Sequence, residues 1–199
     1  MYTIFDTETT GFPNKFLPPS ASNQARIMQF AALQLDDDFN PVAEIKAMIK
    51  PDGWSIVNEG AFKAHGLTHE MCVKRGAPMK AVLDVFFAMF NSSSIVVAHN
   101  IIFDKQMIDI ESEYHKHSCR VQQTNLTKLF CTMIYSTDIC KLPSKFPGKY
   151  KWPKVKEAYK HFTGEEPDNQ HDAMGDVRAT AVIFRKLFEA GIVKNALAL

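Results

Sequence analysis

The first residues, Tyr2-Thr3-Ile4-Phe5-Asp6-Thr7-Glu8, form a short apolar run that ends in two carboxylates. As a strand, it places Tyr2, Ile4, Asp6 and Glu8 on one face and Thr3, Phe5 and Thr7 on the other. A loop over residues 12–23 follows, its three prolines and polar residues excluding a regular element. Residues 26–35 and 42–49 read as two strands joined by the acidic turn 36–41. Residues 52–77 are irregular, with short helical stretches around 58–64 and 68–73. Pro78 opens a helix whose Val82, Val85, Phe86, Met89 and Phe90 have the spacing of a buried stripe. Residues 95–98 are wholly apolar, as a strand in the middle of a covered sheet should be.

Asn100 is placed to cap a helix over residues 101–116, which carries Phe103, Met107, Ile110 and Tyr114 on one face. Residues 126–133 form a further apolar segment. A helix is expected from Pro153 to about residue 162, closed by Gly164, and a last one over residues 172–190. The last helix has an inward stripe of Ala173, Val177, Thr180, Phe184 and Leu187. Strands that precede and alternate with helices point to an α/β sheet covered on both faces.

At 199 residues the chain is expected to be one domain over residues 1–199. A hydrophobic share of 46% with 23% charged residues is enough for a core without staples. Cys72, Cys119, Cys131 and Cys140 lie far apart, which excludes a zinc ribbon and a dense disulfide framework. No signal-peptide pattern or spanning apolar run is present, so the expectation is a cytoplasmic protein with no membrane partner. The net charge of +1 is unevenly spread. Residues 1–100 hold 8 Lys/Arg against 10 Asp/Glu, whereas residues 141–160 hold seven lysines against Glu157 alone. Phe146, Tyr150, Trp152 and Tyr159 are interleaved with those lysines, among them Lys149, Lys151 and Lys154. Cations beside aromatic faces suit sequence-tolerant single-strand binding, and equally a solvated lysine-rich loop.

Asp6 and Glu8 alone read most cheaply as a strand running into an acidic turn. Asp104, in the first turn of its helix, is favoured there by the helix dipole whatever its role. Asp176 lies on an inward stripe, where a carboxylate must be paired, protonated or bound to a cation. Four such carboxylates would supply the hard oxygen ligands that Mg²⁺ or Mn²⁺ prefer. Of the histidines, His115, His117 and His161 read as solvated, and His99 as shaping the site.

Asp6-Thr7-Glu8-Thr9-Thr10-Gly11, His99-Asn100-Ile101-Ile102-Phe103-Asp104 and His171-Asp172-Ala173-Met174-Gly175-Asp176 resemble the three motifs of the DEDD exonuclease superfamily. Their histidine spacing is similar to the DnaQ-like (DEDDh) branch, which includes polymerase proofreading subunits. The segment 26–35 and His65-Gly66-Leu67-Thr68 are similar to that family as well. The resemblance implies an RNase H-like fold, a five-stranded mixed sheet with helices on both faces. It implies 3′→5′ hydrolysis of nucleic acid to nucleoside 5′-monophosphates with two divalent ions, Mg²⁺ or Mn²⁺, roughly 3.5–4 Å apart. By the same resemblance Asp6 bridges both ions, Glu8 and Asp176 hold the ion carrying the attacking water, Asp104 serves the second, and His171 is the general base.

For substrate contacts the candidates are Thr9, His65, Leu67, Asn100, Phe103, Lys149, Lys151 and Lys154. Leu67 and Phe103 read equally as core. The expected substrate is a nucleic acid 3′ end, with single-stranded DNA favoured. An exoribonuclease and a catalytically silent nucleic-acid-binding relative are the alternatives. Residues 12–23 form a longer loop than this family usually has there. Few residues follow the last helix, so a stand-alone enzyme without a polymerase partner is expected.

Overall fold

The computed structural model describes residues 1–119, 121, 128–168 and 172–197. Among these, β1 (Tyr2–Thr9), β2 (Ile27–Leu35), β3 (Pro41–Met48), β4 (Ile95–Ala98) and β5 (Lys128–Cys131) form one mixed sheet in the order β3-β2-β1-β4-β5. β1 is antiparallel to β2 and parallel to β4, and β4 is parallel to β5. The carboxyl ends of β1, β4 and β5 therefore share one edge of the molecule, where ligands of open α/β sheets gather.

The alternation of β1 decides which helix meets which side chain. Tyr2 and Ile4 pack into a core with α7 (Ala173–Glu189), through Val177, Phe184 and Leu187. Phe5 faces the opposite core, with Phe86 and Phe90 of α3 (Met79–Ser92) and Met107 and Ile110 of α4 (Ile101–Tyr114). Helices cover both sides, and β2 is buried along its whole length, so its side chains are apolar on both faces except for Gln29 and Gln34.

α1 (Glu59–His65) and α2 (His69–Arg75) are short and well capped: Asn58 Oδ1 accepts from Gly60 N–H and Thr68 Oγ1 from Met71 N–H. In α3, Val85 is exposed while Leu83 and Phe87 are buried. Val82, Phe86, Met89 and Phe90 are buried as expected, and Leu83 and Phe87 widen the apolar face on the side away from Val85.

The apolar segment 126–133 resolves, where described, into β5 followed directly by α5 (Thr132–Cys140), whose weak amphipathic pattern gave no sequence signal. α6 (Val155–Thr163) ends at Gly164 in a left-handed conformation. A last short helix, α8 (Ile192–Leu197), follows α7 and has no counterpart among the expected elements. Among the described residues no helix is long and apolar enough to cross a membrane.

Two histidines depart from expectation. His117 is buried, stacked on Phe87 and hydrogen-bonded to Asp84 at 2.9 Å. His115 sits 3.4 Å from Glu111, beside the buried Arg26. Both are drawn in by the C-terminal end of α4, where aromatic and ionic partners replace water. His161, by contrast, is exposed.

Candidate active site

The site grows from the end of β1. Its even face delivers Asp6 and Glu8 toward α7, and the first turn of α7 returns Asp176. Carboxylate oxygens of these three lie within 4.8 Å of one another, all partly buried. Asp104 reaches the same region from the other face of the sheet. Its Oδ1 accepts from the Thr7 N–H at 3.1 Å and the Thr7 hydroxyl at 2.7 Å. Thr7 belongs to the odd face of β1, so the strand's pleat holds Asp104 on one side and the other carboxylates on the opposite side.

The electrostatics are those of a cation site. Burial first, then Asp104, Glu8 and Asp176, push the Asp6 carboxyl well above the usual range. Glu8 is pushed up to about 8 by burial and by Asp176, Asp104 and Asp172. Asp104 rises to about 7 because burial outweighs the two hydrogen bonds from Thr7. Lys46 is bonded to Asp172 at 2.8 Å, not to the cluster. A divalent cation suits this donor set: close hard oxygens that mutually resist ionisation and gain from a shared positive charge. Asp6, Glu8 and Asp176 are the residues that would hold it.

The shifts have a measurable consequence. A carboxyl raised in the folded state leaves the folded protein holding more protons than the unfolded chain. Its stabilising contribution is present below the ordinary Glu value of 4.5 and is lost as pH rises to about 8 for Glu8. The metal-free protein should therefore lose thermal stability from pH 5 to pH 8.5. Saturating Mn²⁺ should restore about 5 °C or more at pH 8 and much less at pH 5. Thermal scans with and without metal check this; a flat metal-free profile, or no metal shift at pH 8, contradicts it.

Beside the carboxylates lies a cavity of about 300 Å³, lined by Glu8, Thr9, Phe12, Asn58, His65, Asn100 and Phe103 among others. Asn100 stands at the N-terminus of α4 but does not cap it with its side chain. Its backbone is left-handed (φ 73°) and its exposed carboxamide makes no capping bond. A non-glycine residue held in that conformation at a site edge stores strain that surrounding structure must enforce. His99 does so: Nδ1 meets Thr132 Oγ1 at 2.9 Å and Nε2 meets the Pro153 carbonyl at 2.8 Å. Burial lowers the His99 pKa, keeping it neutral in this clasp.

His65 is also a clasp. Leu67 N–H donates to its Nδ1 at 3.0 Å, which leaves the proton on Nε2 to donate to the Thr9 carbonyl at 3.0 Å. Both ring nitrogens serve backbone groups, and the ring itself lines the cavity. Leu67 is buried instead in a small core with Met28, Trp54 and Cys72. The Thr9 hydroxyl donates to the Gly11 carbonyl at 2.9 Å. Phe103 is half-buried, its ring 5.8 Å from that of Phe12 in an edge-on pair.

The lysines stand apart from the cavity. Lys151 is neutralised by Glu157, and Lys156 and Lys160 share Glu166. Lys149 and Lys154 are exposed, with no ion-pair partner among the described residues. Phe146, Tyr150 and Trp152 are exposed beside them, and Pro153 ties this segment to His99. His171 lies outside the described residues.

Phe12, Asn58 and Gln29 contribute without having given a sequence signal. Phe12 and Asn58 line the cavity, and Gly11 of the first motif lets Asn58 approach the chain there: its φ is 153°, and a Cβ would lie 3.2 Å from Asn58 Cβ. Gln29, paired with Glu8 across the sheet, accepts from Ala173 N–H at 2.9 Å and so seats the N-terminus of α7 against β1 and β2.

The family model described as RNase T, exonuclease, matches residues 3–184. The chain belongs to this exonuclease family. The DEDD superfamily expected from the motifs is thereby shown, as is the mixed five-stranded α/β fold. No curated protein sequence matches the chain. Among solved structures, this exonuclease is similar to E. coli exonuclease I in complex with a dT13 oligonucleotide. The TM-score is 0.73 at 20% identity, over 98% of this chain and 42% of that one. A product-bound exonuclease I gives a TM-score of 0.74 at 18% identity, over 94% and 43%. The zinc-bound complex of E. coli exonuclease I with single-stranded DNA gives 0.70 at 20%, over 95% and 40%. The chain thus spans about two fifths of the length of these proteins, and at this identity they report on the fold.

Proposed function

We propose that this protein is a divalent-metal-dependent 3′→5′ exonuclease that releases nucleoside 5′-monophosphates from single-stranded DNA. The observation that carries this reading is the meeting of Asp6, Glu8 and Asp176 within 4.8 Å beside a nucleotide-scale cavity. Exonuclease I structures with single-stranded DNA and with a bound metal support the substrate and the cofactor class. The unit of activity is one domain over residues 1–199, supported by the family match to 3–184.

Phosphodiester hydrolysis needs an activated water and a stabilised leaving 3′-oxygen, and a pair of Mg²⁺ or Mn²⁺ ions supplies both when bound. Asp6, Glu8 and Asp176 would hold the metal, with Asp6, on which the charge of the other carboxylates converges, as the central ligand. Asp104, steadied by Thr7, would add a fourth carboxylate for a second ion, directly or through water. His171 takes the proton from the water, since an imidazole titrates near neutrality. Asn100 and the cavity wall at Thr9, His65 and Phe103 hold the terminal nucleotide. Digestion of end-labelled single- and double-stranded DNA and RNA with Mg²⁺ or Mn²⁺ tests direction, substrate and product together. Binding without release of mononucleotides would leave a silent relative instead.

Lys149 and Lys154 extend the reading to the strand's phosphates. Removing a lysine that neutralises one phosphate should lower the salt slope of single-strand binding by about 0.7. Lys149→Ala with Lys154→Ala should therefore flatten the slope by about 1.4. Lys151→Ala should do less, its charge already met by Glu157. Fluorescence anisotropy across a salt series measures this, and an unchanged slope returns the segment to a solvated basic loop.

A further inference from the structure

The connection between β1 and β2 has no regular secondary structure, yet it is built around a buried hub. Gln24 is 5% exposed. Its Oε1 accepts from Asn14 N–H at 2.7 Å and Ala25 N–H at 3.0 Å, and its Nε2 donates to the Asn14 carbonyl at 3.0 Å. Asn14 Oδ1 in turn accepts from Phe16 N–H at 3.0 Å, and Ala21 N–H donates to the Pro18 carbonyl. Thr10 closes the base of the loop, exchanging two hydrogen bonds with the Arg26 backbone. This braced loop holds two phenyl rings out in water: Phe12 is 89% exposed and Phe16 is 85% exposed. A flexible loop would fold such rings away, so an internally bonded one that displays them marks a binding surface.

We propose that Phe16, with Lys15, is a stacking platform for the unpaired bases that lie 5′ of the terminal nucleotide. The inference rests on the exonuclease reading above and adds the route of the strand. The loop that carries the platform reaches the cavity through Phe12, which lines it and meets Phe103, and Ile102, beside Phe103 in the chain, is exposed. From there a groove of about 610 Å³ runs between the loop and α4, lined by Asn14, Lys15, Leu17, Ile102, Lys105 and Gln106. Lys105 is neutralised by Asp109 at 2.8 Å, which leaves Lys15 as the groove's unspent cation among the described residues. The Lys15 ammonium lies 5.2 Å from the centre of the Phe16 ring, so one unit offers a π-face to a base and a charge to its phosphate. No carboxylate occurs between Thr9 and Ala25 to repel a polyanion.

The test is equilibrium binding of fluorescent dT2, dT4 and dT8, with Ca²⁺ in place of the catalytic metal. In the unaltered protein affinity should rise with length. Phe16→Ala should remove most of that rise and weaken dT8 binding about tenfold, the worth of one stacked base. Phe16→Tyr should restore it. Phe16→Ala that binds dT8 as tightly as the unaltered protein overturns the platform while leaving the exonuclease reading intact. Rescue by Phe16→Leu equal to that by Phe16→Tyr also overturns it, because an aliphatic side chain then serves the strand as well as a π-face does. An unaltered protein that binds none of the three oligonucleotides overturns the exonuclease reading and the platform together.

Discussion

Asp6→Asn is expected to lower the hydrolysis rate at least about 10³-fold, while making the metal-free protein more stable. Both effects come from one feature. Asp6 is buried, and charge from Asp104, Glu8 and Asp176 converges on it, so its ionised form is held at a cost. The cost is tolerated because the same convergence attracts cations. An amide keeps the shape and removes the charge. It relieves Glu8 and Asp176 of a neighbour, and the metal-free thermal midpoint should rise by roughly 2 °C or more at pH 8. It also removes a charged carboxylate from the cluster that would hold the metal. Several kcal/mol of charge stabilisation go with it, at about 1.4 kcal/mol for each factor of ten in rate. The rate on end-labelled single-stranded DNA and thermal scans with and without Mn²⁺ decide the matter. Activity within tenfold of the unaltered protein, or a lower metal-free midpoint, would refute the assignment.

Much of this site was legible because it depends on short-range periodicity. A period of two puts Asp6 and Glu8 on one face of β1, and the stripe from Ala173 to Leu187 puts Asp176 inward. Neither inference needs to know what lies opposite. What could not be read depends on chain crossings. Asn58 reaches the cavity only because its N–H bonds the Thr10 carbonyl at 2.8 Å, joining segments 48 residues apart in the chain. Gln29 caps α7 from 144 residues away, a role invisible in a strand that otherwise reads as plain core.

Asn100 shows a different limit. Its residue type predicts a capping side chain, but the fixed ends of β4 and α4 impose a left-handed backbone, and the carboxamide is left at the cavity rim. The loop after β1 is irregular, as its prolines indicate, and irregularity conceals its order: Gln24 bonds backbone groups that no sequence pattern marks. Leu67 had two readings, and the small core around Trp54 places its side chain away from the cavity.

The largest stability effect should come from outside the site, at Arg26. Its side chain is 2% exposed and that of Glu111 is completely buried, with Arg26 Nη2 2.6 Å from Glu111 Oε2 and Nε 3.0 Å from Oε1. Tyr114 lies under the guanidinium at 3.6 Å, and Ile27 N–H donates to Glu111 at 2.7 Å. Burial alone would raise the Glu111 carboxyl; hydrogen bonds from His115, Arg26 and Ile27 hold it below its usual value instead. The pair joins the start of β2 to the far end of α4, the helix that carries Asp104. Arg26→Met keeps most of the side-chain volume but leaves a buried carboxylate unpaired, which costs about 3–5 kcal/mol. For a chain of this size that corresponds to a loss of roughly 10 °C in thermal midpoint. Replacing both partners, Arg26→Met with Glu111→Leu, should recover a substantial part, because no charge is then stranded. If the double variant is as unstable as Arg26→Met alone, packing of the guanidinium on Tyr114, and not the ion pair, holds β2 and α4 together.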